Sequence, residues 1–178
     1  GVRLAKREQQ FITLAEKLNI PVVTAISGSD VIWHNHPLCF GKPGICGDRI
    51  GNIMVQNSDL LIVMGTRLSI RQVSYAYDLL APKAYKVMVD IDLAEMQKPT
   101  LSIDMPIHVN LSEFIDKMIE ATETFDAPEA FNTFMQWGRK LEKKLPTLFD
   151  DNPDCEGYTN SYKFADELFK QLGDGDVV

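Results

Sequence analysis

Residues 60–65 read LLIVMG and residues 85–92 read YKVMVDID. The apolar stretches in them are too short for ordinary helices and lack the polar alternation of a half-exposed strand. They fit strands buried on both faces, as in a parallel sheet covered by helices. IPVVTA, residues 20–25, is a third such run, and Met105 to Asn110 a weaker one. The intervening segments carry the helical period. Phe11, Leu14, Ala15 and Leu18 share one face of a helix from Glu8 to Leu18, and Arg49 to Ser58 makes a short helix. Gln72 to Leu80 reads as another, and Leu111, Phe114, Ile115, Met118 and Ile119 line one side of a helix from Leu111 to Thr122. Strand and helix in alternation predict an α/β fold, a Rossmann-like parallel sheet with right-handed crossovers placing helices on both faces. In such sheets ligands sit outside the carboxyl ends of the strands. Those ends are marked by Ala25 to Gly28, by Gly65-Thr66-Arg67 and by Asp90-Ile91-Asp92.

Strand signals vanish after Thr124. A helix is expected from Ala127 to Leu145, then breaks at Pro146, Pro153 and Gly157, so residues 124–157 read as a C-terminal helical linker over the domain surface. A last helix, Ser161 to Leu172, precedes GDGDVV, which resembles a strand beginning. The 178 residues carry 18 basic and 25 acidic side chains, a net charge of -7, with 45% hydrophobic residues. No basic stripe suits a nucleic acid, and no run of 18 apolar residues spans a membrane. Cys39, Cys46 and Cys155 are too few for a disulfide scaffold, and reduced thiols point to a cytoplasmic setting.

Among candidate sites the glycine segment is the most informative: Gly28, then Gly41, Gly44, Gly47 and Gly51. Such spacing lets backbone approach a ligand or leaves amides free near a helix start, but it serves equally in a tight irregular loop. It matches neither G-x-G-x-x-G nor the phosphate loop. His34, His36, Cys39 and Cys46 have no finger or ribbon spacing and read as loop residues. Arg67 and Arg71 are either a clamp for phosphate or carboxylate or surface cations paired with acidic neighbours. Asp90 and Asp92 are either ribose acceptors or a helix cap. No nucleophile–base set is recognisable, and Gly173 to Gly175 reads as a turn.

Five pieces in fixed order resemble the central domain of thiamine-diphosphate (ThDP)-dependent enzymes, closest to the acetolactate synthase large subunit. They are Pro21 to Thr24, His36-Pro37-Leu38 with Gly41 and Gly44, Asn57-Ser58-Asp59, Gly65-Thr66-Arg67, and Asp90 to Glu95. The resemblance implies a DHS-like NAD/FAD-binding type of domain over residues 1–123 whose first strand is missing. It implies an interdomain linker at 124–157 and the truncated opening of a diphosphate-binding domain at 158–178. Gly1-Val2-Arg3 resembles the turn after the family's first central strand. On this reading the chain is a fragment, inactive alone, of a homo-oligomeric transferase or lyase acting on 2-oxo acids such as pyruvate. The remaining domains are its partners, and ThDP and Mg2+ sit outside it. FAD in this domain is implied at Ile26, Ser27, Gly28, Gly44, Ile45, Cys46, Gly65, Arg67, Arg71, Asp90 and Ile91. Three departures bear on it. Flavin-binding relatives carry acidic residues where Leu68-Ser69-Ile70 stands, His at Cys46, and Gly-Asp at Asn110-Leu111. A stand-alone FAD, NAD or ADP-binding module and a structural dimerisation domain stay open beside it.

Overall fold

The computed structural model describes residues 1–146 and 156–177. They fall into two compact units, residues 1–145 and residues 146 onward. The first unit is built on three parallel strands in the order β1-β2-β3: β1 Leu60–Met64, β2 Tyr85–Asp90 and β3 Met105–His108. Leu60 pairs with Tyr85 and Met64 with Val89, while Val87 pairs with Met105 and Asp90 with His108. β2 is therefore central, and Met88 and Val89 are fully buried. Successive side chains of a strand face opposite sides, so these two residues seed separate clusters. Val89 packs with Val2 of the N-terminal turn and with Leu14, Leu18, Leu111 and Ile115 of helices α1 (Glu8–Leu18) and α5 (Leu111–Ala121). Met88 packs with Val55, Val63, Leu68, Val73 and Leu80, on the side of α2 (Arg49–Gln56) and α3 (Ile70–Val73). The sheet is covered on both faces. The expected α/β class with a parallel sheet is what the structure shows.

Local chemistry sets the helix ends. Asn19 closes α1 in the left-handed region at φ 49°, a conformation its short polar side chain tolerates. Asn110 caps α5 by accepting from the Ser112 amide at 2.9 Å, and Asp92 caps α4 (Leu93–Met96) by accepting from Ala94 at 3.0 Å.

Two elements differ from expectation. IPVVTA does not join the three-stranded sheet. Among the described residues its ladder contact is a parallel bridge from Val22 to Cys39, with Val22 donating to Leu38, Phe40 donating to Val22, and Thr24 donating to Gly41. Its backbone groups are spent on residues 38–41, a segment whose loop character offers no long run to pair with. The helix expected from Gln72 to Leu80 is divided into α3 and a 3-10 turn at Tyr77–Leu79. The Arg71 carbonyl, which a continuing helix would offer to the amide four residues on, accepts instead from Ile45 at 2.9 Å. Ser74 then leaves the helix at φ 64°.

Around Phe40, which is fully buried, Ala15, Ile50, Met54 and Met135 form a third cluster. Met135 comes from α6 (Glu129–Lys144), so that helix belongs to the packing of the first unit. Gly138 lets it approach: a Cβ there would sit 2.6 Å from Met54 Sδ and 2.7 Å from Phe40 Cε1. Next to it, Arg139 Nη2 donates to the carbonyls of His36, Pro37 and Cys39 while its guanidinium lies 4.1 Å above the Phe40 ring. In the second unit α7 (Ser161–Gln171) is capped by Asn160, and residues 174–175 form a turn. Among the described residues no helix is long and apolar enough to cross a membrane.

Candidate functional site at the strand ends

Parallel register brings the carboxyl ends of β1 and β2 side by side. The Gly65 amide donates to the Val89 carbonyl at 2.9 Å, which places Gly65 beside Asp90 and Ile91. Gly65 takes φ 57°, and a Cβ on it would meet Gly1 Cα at 2.7 Å and Leu111 Cδ1 at 2.5 Å. Only glycine suits that position. Asp90 is buried, and its Oδ1 accepts from the Asp92 amide at 2.9 Å. The two acids thus divide their work, Asp90 holding the turn and Asp92 capping α4. At the neighbouring end of β3, His108 Nε2 donates to the Ile91 carbonyl at 2.9 Å.

Arg67 extends from the turn after β1 and is tied to α4. Its Nε donates to Glu95 Oε1 at 2.6 Å, and Nη2 lies 2.6 Å from the same oxygen. Lys98 reaches Glu95 Oε2 at 2.5 Å and donates to the Arg67 carbonyl. The Lys98 ammonium, helped by Arg67, holds the Glu95 carboxyl below its ordinary value. The Arg67 side chain stays 78% exposed. Arg71 is exposed on α3 and forms no side-chain ion pair among the described residues.

The glycine loop forms a second group. Gly44, at φ 116°, has its Cβ direction filled by the Arg71 carbonyl oxygen, 2.1 Å away. Its amide donates to Asn52 Oδ1 at 2.8 Å, and Asn52 Nδ2 returns a bond to its carbonyl at 3.0 Å. Asp48 Oδ2 accepts from the Lys42 amide at 2.8 Å, and its own amide donates to the Lys42 carbonyl at 2.7 Å. A Cβ on Gly47 would come within 2.3 Å of that carbonyl oxygen. Of the two uses open to these glycines, most of the loop takes the tight packing of backbone on backbone. Ile45 and Cys46 project from it, exposed. A cavity of about 210 Å³ lies between this loop and α3, lined by Gly44, Ile45, Gln72, Val73 and Leu80 among others.

The expected positions therefore gather into two groups: Gly65, Arg67, Asp90 and Ile91 at the strand ends, and Gly44, Ile45 and Cys46 docked on Arg71. Ile26, Ser27 and Gly28 form a 3-10 turn, Gly28 donating to the Ala25 carbonyl at 2.9 Å. Space beside Gly28 is open, its nearest neighbour being Val31 Cγ2 at 4.0 Å.

A family model described as thiamine pyrophosphate enzyme, central domain, matches residues 1–118. The chain belongs to this family. It is similar to acetolactate synthase of Mycobacterium bovis, 35% identical over the whole of this chain and 28% of that protein. It also resembles the probable acetolactate synthase large subunits of Methanocaldococcus jannaschii, 29% identical over 99% of this chain and 29% of the relative, and of Methanococcus aeolicus, 37% identical over 60% and 18%. The chain thus spans less than a third of the length of these relatives.

In this central domain the departures from the flavin pattern have structural accounts. Leu68 is buried in the cluster around Met88. Asn110 is spent on the cap of α5. Cys46 is exposed, and Cys39 is buried. Sequence reasoning missed Glu95, Lys98, Asn52 and His108. Glu95 falls inside the Asp90 to Glu95 motif, so its position was legible although its partner was not. Among the described residues no group of three or more His, Cys, Asp and Glu is arranged to hold a metal.

Proposed function

We propose that this chain is the central domain of a longer ThDP-dependent, acetolactate synthase-like enzyme acting on a 2-oxo acid such as pyruvate. ThDP supplies carbanion stabilisation when bound, and we assign it, with Mg2+, to parts of the enzyme beyond this chain. Residues 158–178 would open the diphosphate-binding domain. This domain's own role is to support the assembly and to hold a nucleotide-type cofactor, FAD, across the strand ends.

The observation that carries the cofactor reading is the exposed Arg67 in the turn after the carboxyl end of β1, with a second exposed arginine, Arg71, on the α3 that follows. That donor set fits a diphosphate, which accepts charge-assisted hydrogen bonds. The open space at Gly28 allows close approach of a ligand to backbone. The cavity of about 210 Å³ is too small for a dinucleotide, since drug-sized ligands occupy roughly 300–1,000 Å³. The reading therefore rests on the open strand-end surface. Arg67 and Arg71 would hold the diphosphate, and Ile26 to Gly28, Ile45, Cys46, Gly65, Asp90 and Ile91 would flank the remainder.

Calorimetric titration of the purified chain with FAD, ADP and NAD tests this. FAD should bind, and the double variant Arg67→Ala, Arg71→Ala should weaken it at least about tenfold, the scale of one lost charge-assisted contact. Absence of heat with all three ligands would overturn the cofactor role. An interface role is a second reading, favoured by exposed Ile26, Ile45, Ile70, Ile91 and Leu93 on these same segments.

A further inference from the structure

We propose that Glu95 is a positioning residue that fixes Arg67 for an anionic ligand, an inference that rests on the nucleotide-type ligand proposed above. A free arginine side chain samples many rotamers, and ordering it on binding costs affinity. Here that ordering is done in advance. Glu95 comes from α4, which follows β2, whereas Arg67 follows the neighbouring β1, so the contact joins two connections of the sheet. Its side chain is only 11% exposed, against 78% for Arg67. The anchor is largely covered while the group it holds is open to solvent.

The geometry also selects which edge of the guanidinium is left. Oε1 occupies the edge formed by Nε and Nη2, each at 2.6 Å. The end-on edge, Nη1 with the second Nη2 proton, stays available and is the edge a phosphate oxygen pair can meet. Lys98 completes the arrangement from the other carboxylate oxygen: it lies 2.5 Å from Oε2 and donates to Arg67's own carbonyl, so backbone and guanidinium are held by one acid and its cation. The cluster keeps a net positive charge, two cations against one carboxylate.

The sign of one substitution separates positioning from simple charge. Glu95→Gln removes a negative charge next to an anion site, and Coulomb's law alone would make phosphate binding tighter. A positioning role makes it weaker. ADP, titrated into the 178-residue chain, is the probe, with thermal unfolding followed in parallel. Glu95→Gln and Glu95→Ala should each raise the ADP Kd, by about five- to tenfold, as expected for loss of a preorganised contact. Arg67→Ala should raise it at least as much. Adding Glu95→Gln to Arg67→Ala should then cost little more, because the residue being positioned is gone. An unchanged or lower Kd in Glu95→Gln, with Arg67→Ala still impaired, would overturn the inference and leave the ligand class intact. ADP failing to bind the unaltered chain would overturn the ligand class, and this inference with it. A lower melting temperature at constant Kd would assign Glu95 a structural role only.

Discussion

Gly44 shows how a residue chosen for apparent closeness to a ligand is used for closeness to the chain itself. Its φ of 116° and the carbonyl oxygen 2.1 Å from a would-be Cβ leave no room for a side chain. Gly44→Ala should destabilise the first unit by about 2–4 kcal/mol, left-handed strain plus overpacking, measured as a fall in the urea midpoint. Gly28→Ala, with nothing closer than 4.0 Å, should stay within about 0.5 kcal/mol of the parent. Equal effects at both positions would refute this contrast. Ion pairing makes a second case at the same scale. Arg7 Nε and Nη2 meet Asp116 Oδ1 and Oδ2 at 2.9 and 3.0 Å, a two-pronged tie between the chain just before α1 and α5. The hydrogen bond from Arg7 holds the Asp116 carboxyl below its ordinary value of 3.8. A depressed folded-state value means the stabilisation is present above 3.8 and is lost as pH falls through the lower folded value. Asp116→Asn should therefore lower the melting temperature at pH 7, and the gap from the parent should narrow as the pH is taken below that range.

At the scale of elements, α6 is the informative case. Its limits were legible to within two residues, and it read as a linker over the domain surface, but sequence alone does not tell what a helix packs against. Gly138 and Arg139 settle that. The glycine admits α6 onto Met54 and Phe40, and the arginine donates to three carbonyls of the loop at 36–39. Gly138→Ala would gain helix propensity but force the Phe40 ring to shift, and we expect a net loss of about 1–2 kcal/mol in chemical denaturation. We propose that the folding unit runs through α6. A chain of residues 1–123 should lose cooperative unfolding, while residues 1–146 should retain it, as followed by circular dichroism. The helix expected over 72–80 teaches the complementary lesson. Its period was real, with Val73, Tyr77 and Leu80 in one cluster, yet the Arg71 carbonyl was claimed by Ile45 from a loop distant in sequence. A local pattern carries no information about such a competitor.

For the whole molecule, the sheet is divided. Three parallel strands form one sheet, and among the described residues the extended run at Val22 to Thr24 pairs with residues 38–41. Val23 packs against two of the three clusters and couples these parts. Large apolar side chains remain exposed, including Trp33 at 81%, Tyr75 at 78% and Leu4 at 90%. Exposed apolar side chains mark interfaces where they gather into patches, and the relatives are more than three times longer. The chain by itself should therefore self-associate as concentration rises, visible as a growing weight-average mass in light scattering. A constant monomer mass would count against an interface on this surface. Supplied with pyruvate, ThDP and Mg2+, the isolated chain should form no acetolactate in a colorimetric assay, and product above background would refute its role as one domain among several.

The α/β class and the parallel strands were determined by sequence alone. Uninterrupted apolar runs such as those at 60–64 and 85–89 favour strands buried on both faces, and their alternation with helical periods leaves few topologies. The family was legible too, since five short motifs in order are far more specific than any one. Tertiary structure decided which candidates stay open to a ligand. It paired Arg67 with Glu95, gave Asp92 to a helix cap, and turned most of the glycine loop inward. The physical reason is that backbone and charged groups must find partners on burial, and those partners come from segments far apart in the chain.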